Sequence, residues 1–374
     1  MIPSHRVDGP PGAPVLVLSN SLGASSAMWE AQVPVLATRF RVVRYEQRGH
    51  GGTPAPAPGP YSIADLGTDL VELLDHLGVE RAALCGVSLG GMVALWVAVH
   101  HPQRVDGLVL ACTAAELGPP DGWAERAATV RAASPSVLAE TLVGRWFTPG
   151  FVQRRPEVAG AVAAMLAGDD PEGYAGCCEA IGAMDQRPDL GRVAAPTLVI
   201  AGADDPVTPP ARAVELQAGI PGASLLVLAG ASHLANIEQP AAFTQAVVDH
   251  LAGTIVERGD AMRRRVLGDA HVDRSAADAS PLGAPFTDFI TRTAWGDVWT
   301  RPTLDLRARS CITVAALAAL GRLEELELHV RGARRNGLAD EEIAEVILHT
   351  AVYAGVPAAN AAMRVARRVL EADG

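Results

Sequence analysis

Apolar residues recur along the first two thirds of the chain in two alternating styles. Short runs, Val15 to Ser19, Phe40 to Tyr45, Ala82 to Cys85, Gly107 to Ala111, Thr197 to Ala201 and Ser224 to Leu228, read as strands, and helical patterns separate most of them. That alternation predicts an α/β fold with a parallel sheet covered on both faces. Between about residues 115 and 190 it stops and the pattern turns helical, with Trp123, Trp146 and the segment Arg145-Trp146-Phe147. A helical cap inserted over the mouth of the sheet is the expected result. From Arg258 no strand pattern follows, and the chain becomes Arg-rich, Trp-containing and helical. Gly337 suits the left-handed end of one long helix, and Asp340 a cap for the next, expected from Glu341 to about Tyr353 before Gly355 and Pro357 stop it. A short linker at Ala252-Gly253-Thr254 divides the chain into units of residues 1–253 and 258–374. No repeat at a solenoid period is present.

Length supports this division, since 374 residues exceed one ordinary core. Apolar content of 49% and mean hydropathy of +0.18 indicate a soluble globular protein. No apolar run approaches bilayer length, and the N-terminus MIPSHRVDGPPG does not resemble a signal segment, so a cytoplasmic location is expected. Cys85, Cys112, Cys177, Cys178 and Cys311 are odd in number and lack C-x-x-C spacing, which indicates neither a disulfide framework nor a zinc site. All 31 basic residues are arginine. Residues 1–253 hold 15 Arg against 25 acids, net −10, and the remainder 16 Arg against 17 acids, net −1. An acidic surface without a basic stripe argues against nucleic acid and anionic membrane as partners. It would also repel a dicarboxylate, so such a substrate needs arginines in its pocket.

Candidate chemistry begins at Gly86-Val87-Ser88-Leu89-Gly90, between a strand and a helix-like stretch. This is the context of a nucleophile elbow, in which a strained turn exposes the serine oxygen and leaves the following amide free for an oxyanion. Ser88 then requires a base and an acid that orients it. Asp205 follows one strand end and His233 the last, and the order Ser, Asp, His is the hydrolase order. Asp204 is a competing acid. The second oxyanion amide is expected after an early strand, where Asn20-Ser21-Leu22-Gly23 makes the N–H of Leu22 the candidate beside that of Leu89. Arg48-Gly49-His50-Gly51 suits a tight loop beside the pocket, with no chemical role for His50.

The stretches SNSLG (Ser19 to Gly23), RYEQRGHG (Arg44 to Gly51), GVSLGGMVALWVAVHHPQRV (Gly86 to Val105) and GASHLANIEQP (Gly230 to Pro240) resemble α/β-hydrolases, specifically 3-oxoadipate enol-lactonases, over roughly residues 1–253. Related esterases and cofactor-free haloperoxidases share these motifs. The stretches RRRVLGDAHVDRS, AWGDVWTRPTLDLRARS, ELELHVRGARRNGL and EEIAEVILHTAVYAGVPAANAA, between Arg263 and Ala362, resemble 4-carboxymuconolactone decarboxylases, an all-α fold shared with alkylhydroperoxidase D-like proteins. Those relatives use a C-x-x-C pair before a histidine; here Arg322 and Glu325 precede His329, so disulfide redox chemistry lacks its sulfur.

Decarboxylation of the lactone leaves a delocalised carbanion that must be stabilised and protonated at carbon, which asks for an acid and cationic donors and no metal or organic cofactor. Glu325 and His329 share a helical face, and a carboxylate there is expected to raise the imidazole pKa and make His329 the proton donor. Glu345 and His349 repeat the spacing outside the recognised motif. Arg307 and Arg309 are candidates for substrate carboxylates, Arg145 in the cap for the carboxylate of the lactone, and Trp295 and Trp299 for core or pocket wall. Together the resemblances imply a bifunctional enzyme of the β-ketoadipate pathway acting on small lactones, since the decarboxylase product is the lactonase substrate. A general esterase joined to a decarboxylase-like domain, and a low-turnover ligand-sensing hydrolase, are the alternatives. Homo-oligomerisation is expected from the helical domain.

Overall fold

The computed structural model describes residues 1–372 apart from 57, 278, 279 and 302. It divides into two compact units, Met1–Leu251 and Ala252–Gly374. The first is built on a seven-stranded sheet: β1 (His5–Asp8), β2 (Val15–Ser19), β3 (Arg41–Tyr45), β4 (Ala82–Val87), β5 (Val105–Ala111), β6 (Thr197–Gly202) and β7 (Ser224–Leu228). Their spatial order is β1-β3-β2-β4-β5-β6-β7, all neighbours running parallel except the antiparallel β1–β3 pair. All six residues of β4 and all six of β6 are buried, which is why these strands read as unbroken apolar runs. The strand β1 has no such signature. Its sequence HRVD is largely polar, with two of its four residues exposed at the sheet edge, so only its pairing reveals it.

Helix α1 (Ile63–His76) opens on a reciprocal cap in which Asp65 N–H donates to Ser62 Oγ at 3.1 Å and Ser62 N–H to Asp65 Oδ2 at 2.8 Å. Helix α2 (Leu89–His100) is buried along almost its whole length, with Leu89, Met92, Val93, Leu95 and Val97 inaccessible. Burial of each such side chain contributes about 1.5–3 kcal/mol. Between β5 and β6 the cap comprises α3 (Pro120–Ala133), α4 (Ala139–Trp146), α5 (Pro149–Arg154), α6 (Pro156–Ala167) and α7 (Pro171–Ala183). Asp170 starts α7 by accepting from Glu172 and Gly173 N–H at 2.9 and 3.0 Å.

Helix α8 (Pro240–Leu267) is continuous through residues 252–257, so the short linker at Ala252-Gly253-Thr254 is helical. The second unit continues through α9 (Asp269–Ala277), α10 (Ala284–Ile290), a π-helix (Thr291–Trp299), α11 (Leu306–Leu320), α12 (Leu323–Arg335), α13 (Asp340–Ala354) and α14 (Val356–Ala372). Val314, Leu326, Val330, Ile343, Ile347 and Ala366 form its core. Leu338 N–H to Ala333 O and Gly337 N–H to Arg334 O close α12 in the paired pattern of a left-handed C-terminal cap. Asp340 departs from expectation. It is the first helical residue of α13, where its carboxylate pairs with Arg334 at 3.2 Å, and Ala339 takes the cap position with its N–H donated to Glu342 Oε2. Pro357 likewise opens α14 rather than merely ending α13. Among the described residues no helix is long and apolar enough to cross a membrane.

Candidate active sites

Ser88 caps α2 at φ 56° and ψ −118°, a conformation that an L-residue holds only when its surroundings enforce it. The enforcement is visible on both sides. Ser88 N–H donates to Ala111 O at 2.9 Å, and Thr113 Oγ1 donates to Ser88 O at 2.7 Å. At Gly90 a Cβ would lie 2.1 Å from Ser19 O and 2.8 Å from Asn20 O, so only glycine lets the loop after β2 approach the elbow. This contact brings the turn bearing Leu22 against the start of α2, whose first amide, that of Leu89, has no intrahelical acceptor. One expected oxyanion donor thus directly follows Ser88, and the other lies two residues beyond the Ser19-Asn20 segment that packs on Gly90.

The loops after β6 and β7 deliver the other two residues. Gly202 ends β6 in contact with Ser232 O, and His233 and Asp205 meet there, Nδ1 to Oδ2 at 2.8 Å, both buried. Asp205 Oδ1 accepts from Val207 and Thr208 N–H at 2.7 and 3.0 Å, while Thr208 Oγ1 donates to Oδ2 at 2.7 Å. Burial pushes this carboxyl up, yet His233 and the Thr208 hydrogen bonds outweigh it and hold the group below the usual carboxylate range. An ionised Asp205 on Nδ1 fixes the proton there and leaves Nε2 as the basic nitrogen. Asp204 is exposed and does not compete.

Two contributors escape sequence reasoning. Buried Glu238 accepts from Ser232 N–H at 2.8 Å and from the Thr148 hydroxyl and N–H, tying the histidine loop to the cap. The other is Arg126 on α3. Its guanidinium lies over the rings of Trp123 and Tyr174, 5.2 and 5.3 Å from their centroids, and donates to the Tyr174 hydroxyl. Its buried Nε has no acceptor among the described residues, whereas Arg131 in the same cap is neutralised by Glu172 and Glu179. Tyr174 in turn borders Gly23. Arg145, the cation expected from sequence, is exposed, and it is its backbone oxygen that the histidine loop uses, accepting from Ser232 Oγ at 3.0 Å. Neither arginine stands out by spacing; only packing separates them.

In the helical unit His329 lies on α12 parallel to Trp295 and Trp299 of the π-helix, with ring centroids 6.2 Å from each. Trp295 packs with Val266 and Leu267, so this face is apolar. The expected electrostatics are reversed as a result. Burial drives the His329 pKa down to about 4, the exposed Glu325 raises it only partly, and His271 lowers it further. His329 is therefore a neutral imidazole at physiological pH, and the i,i+4 carboxylate does not make it an acid. Arg307 is engaged by Gly337 O and by Glu342 at 2.5 Å, an exposed tie between α11 and α13. Arg309 donates to Arg301 O at 2.7 Å, and its buried Nε has no acceptor among the described residues. Of the two expected arginines it is the one with capacity for a carboxylate.

The sequence profile of the alpha/beta hydrolase fold matches residues 14–240, and that of the carboxymuconolactone decarboxylase family residues 284–368. The 3-oxoadipate enol-lactonase 2 of Acinetobacter baylyi is 44% identical over 244 residues, covering 65% of this chain and 91% of that protein. The 4-carboxymuconolactone decarboxylase of the same organism is 45% identical over 115 residues, 31% of this chain and 86% of that protein. Among solved structures, the enol-lactonase from Burkholderia xenovorans is 42% identical with a TM-score of 0.65, covering 66% of this chain and 95% of its own. The chain belongs to the α/β-hydrolase family through its first unit and to the carboxymuconolactone decarboxylase family through its second.

Proposed function

We propose that this chain carries out two consecutive steps of the β-ketoadipate pathway, decarboxylation of 4-carboxymuconolactone and hydrolysis of the resulting 3-oxoadipate enol-lactone. The observation that carries the reading is the pairing of these two likenesses in one chain, because the product of one reaction is the ester consumed by the other. In the hydrolase, Ser88 Oγ attacks the lactone carbonyl while His233 Nε2 takes its proton. Asp205 holds the imidazole, and the Leu22 and Leu89 amides receive the developing oxyanion. The ring oxygen leaves as an enol, which tautomerises to the 3-oxo group. Water then releases the acyl group. Arg126, a cap cation with no carboxylate partner among the described residues, binds the substrate carboxylate.

In the helical unit a neutral His329 beside Trp295 and Trp299 stabilises the oxyfuran by donating an N–H to it, Arg309 holds a carboxylate, and water supplies the proton that the ring carbon takes up once CO₂ has left. Five thiols without a disulfide suit a reducing cytoplasm. Exposed Leu320, Leu348, Val352, Tyr353 and Val356 on the helical unit favour a homo-oligomer.

Comparing kcat/KM of the purified chain on enol-lactone and on simple aryl esters tests the hydrolase half. A preference of at least about 100-fold for the lactone is expected, the scale of a carboxylate met by a positioned guanidinium. Equal turnover of both would make the unit a general esterase.

A further inference from the structure

The loop Arg48-Gly49-His50-Gly51 places a buried imidazole against the oxyanion turn. His50 Nδ1 is 2.8 Å from Arg48 O, so this nitrogen carries the proton, and Nε2 is then a lone pair that accepts the Gly23 N–H at 3.1 Å. Both ring nitrogens have assigned roles in one neutral tautomer. Gly23 directly follows Leu22, and at φ 76° it is packed from the cap side: a Cβ there would lie 2.7 Å from Leu166, 3.2 Å from Trp146 and 3.3 Å from Tyr174. The turn is therefore pressed by the cap and held by His50.

The support behind the ring is also rigid. Arg48 is fixed by Asp69 of α1, with Nε at 2.5 Å and Nη2 at 2.9 Å. Tyr174 stacks on the imidazole with centroids 6.1 Å apart. Glu46, Asp169 and Asp170 are the acidic groups around it, and Asp169 Oδ2 lies 3.6 Å from Nε2. Burial lowers the His50 pKa, which disfavours a second proton on the ring, and, aided by Glu46, raises that of Asp169 to about 8, while at 3.1 Å the Gly23 N–H is the hydrogen bond that Nε2 accepts.

We infer that His50 is a positioning residue that fixes the oxyanion turn by accepting the Gly23 amide, and so sets where the Leu22 N–H points. The role deepens the proposed hydrolase mechanism and rests on its assignment of Leu22. Because the oxyanion is bound most tightly in the transition state, a loosened turn lowers kcat and leaves KM nearly unchanged.

Three variants of the full chain separate this from a packing role. His50→Leu removes both hydrogen bonds, His50→Asn can reach Arg48 O but not Gly23, and His50→Gln can place an oxygen near Nε2. The Leu and Asn variants are expected to lose about 10- to 100-fold in kcat with KM within about threefold, and Gln to recover most of the loss. The losses should match on enol-lactone and on a neutral aryl ester, since every ester uses the turn. If the wild type hydrolyses only the aryl ester, the substrate reading fails and the His50 comparison still stands on that ester. Equal kcat in the Asn and Gln variants, or a loss confined to KM, would overturn the inference. Should His50→Leu not fold, the Asn and Gln pair decides alone.

Discussion

Adjacent aspartates with opposite environments show how much of this site is decided by single residues. Asp205 is buried on His233 with three further hydrogen bonds, and Asp204 faces solvent. Asp205→Asn is expected to lower kcat of lactone hydrolysis by about 10³- to 10⁴-fold, since the amide favours the wrong imidazole tautomer, while Asp204→Asn stays within about twofold. A loss carried by Asp204 instead would refute the triad. Arg126 makes a different kind of claim, about binding. Arg126→Gln should raise KM for the anionic lactone by about 10- to 100-fold and leave neutral aryl esters unaffected, with Arg145→Ala as the silent control. Equal effects on charged and neutral esters would show that Arg126 only supports Tyr174.

Elements explain which of these features the sequence disclosed. The apolar runs of β2 to β7, the elbow at Ser88 and the helical cap are local patterns, so they read directly from the chain. The edge strand β1 is polar, and its partner Arg41–Tyr45 is remote in sequence. Periodicity placed Glu325 and His329 on one face but could not weigh their environments. Only the π-helix packing shows that apolar burial wins over the carboxylate at His329. Arg126, Glu238 and His50 were illegible because each acts on a segment tens of residues away. The loop after α6 yields a pH prediction. Asp169, near an ordinary value when unfolded and at about 8 when folded, contributes stability that is fully present below about pH 4 and lost as pH rises through about 8. Wild-type Tm is therefore expected to fall between pH 6 and pH 9, and Asp169→Asn to flatten that fall. Parallel slopes in thermal melts would mean that the carboxyl is already ionised at pH 6.

At the scale of the whole molecule, charge and apolar surface are distributed by unit. The first holds most of the net negative charge, while exposed Val352 and Tyr353, 78% and 80% accessible, lie on the second. Association through that face predicts a native mass above one chain in light scattering, reduced by Tyr353→Asp. A monomeric wild type would contradict it. The central claim is that one chain performs successive reactions with separable machinery, and one measurement tests it most directly. Wild type and Ser88→Ala are each supplied with 4-carboxymuconolactone while CO₂ and products are followed. The account predicts CO₂ release by both, 3-oxoadipate from the wild type and accumulated enol-lactone from Ser88→Ala. Absence of CO₂ release from both, or 3-oxoadipate formed equally fast by Ser88→Ala, would contradict it.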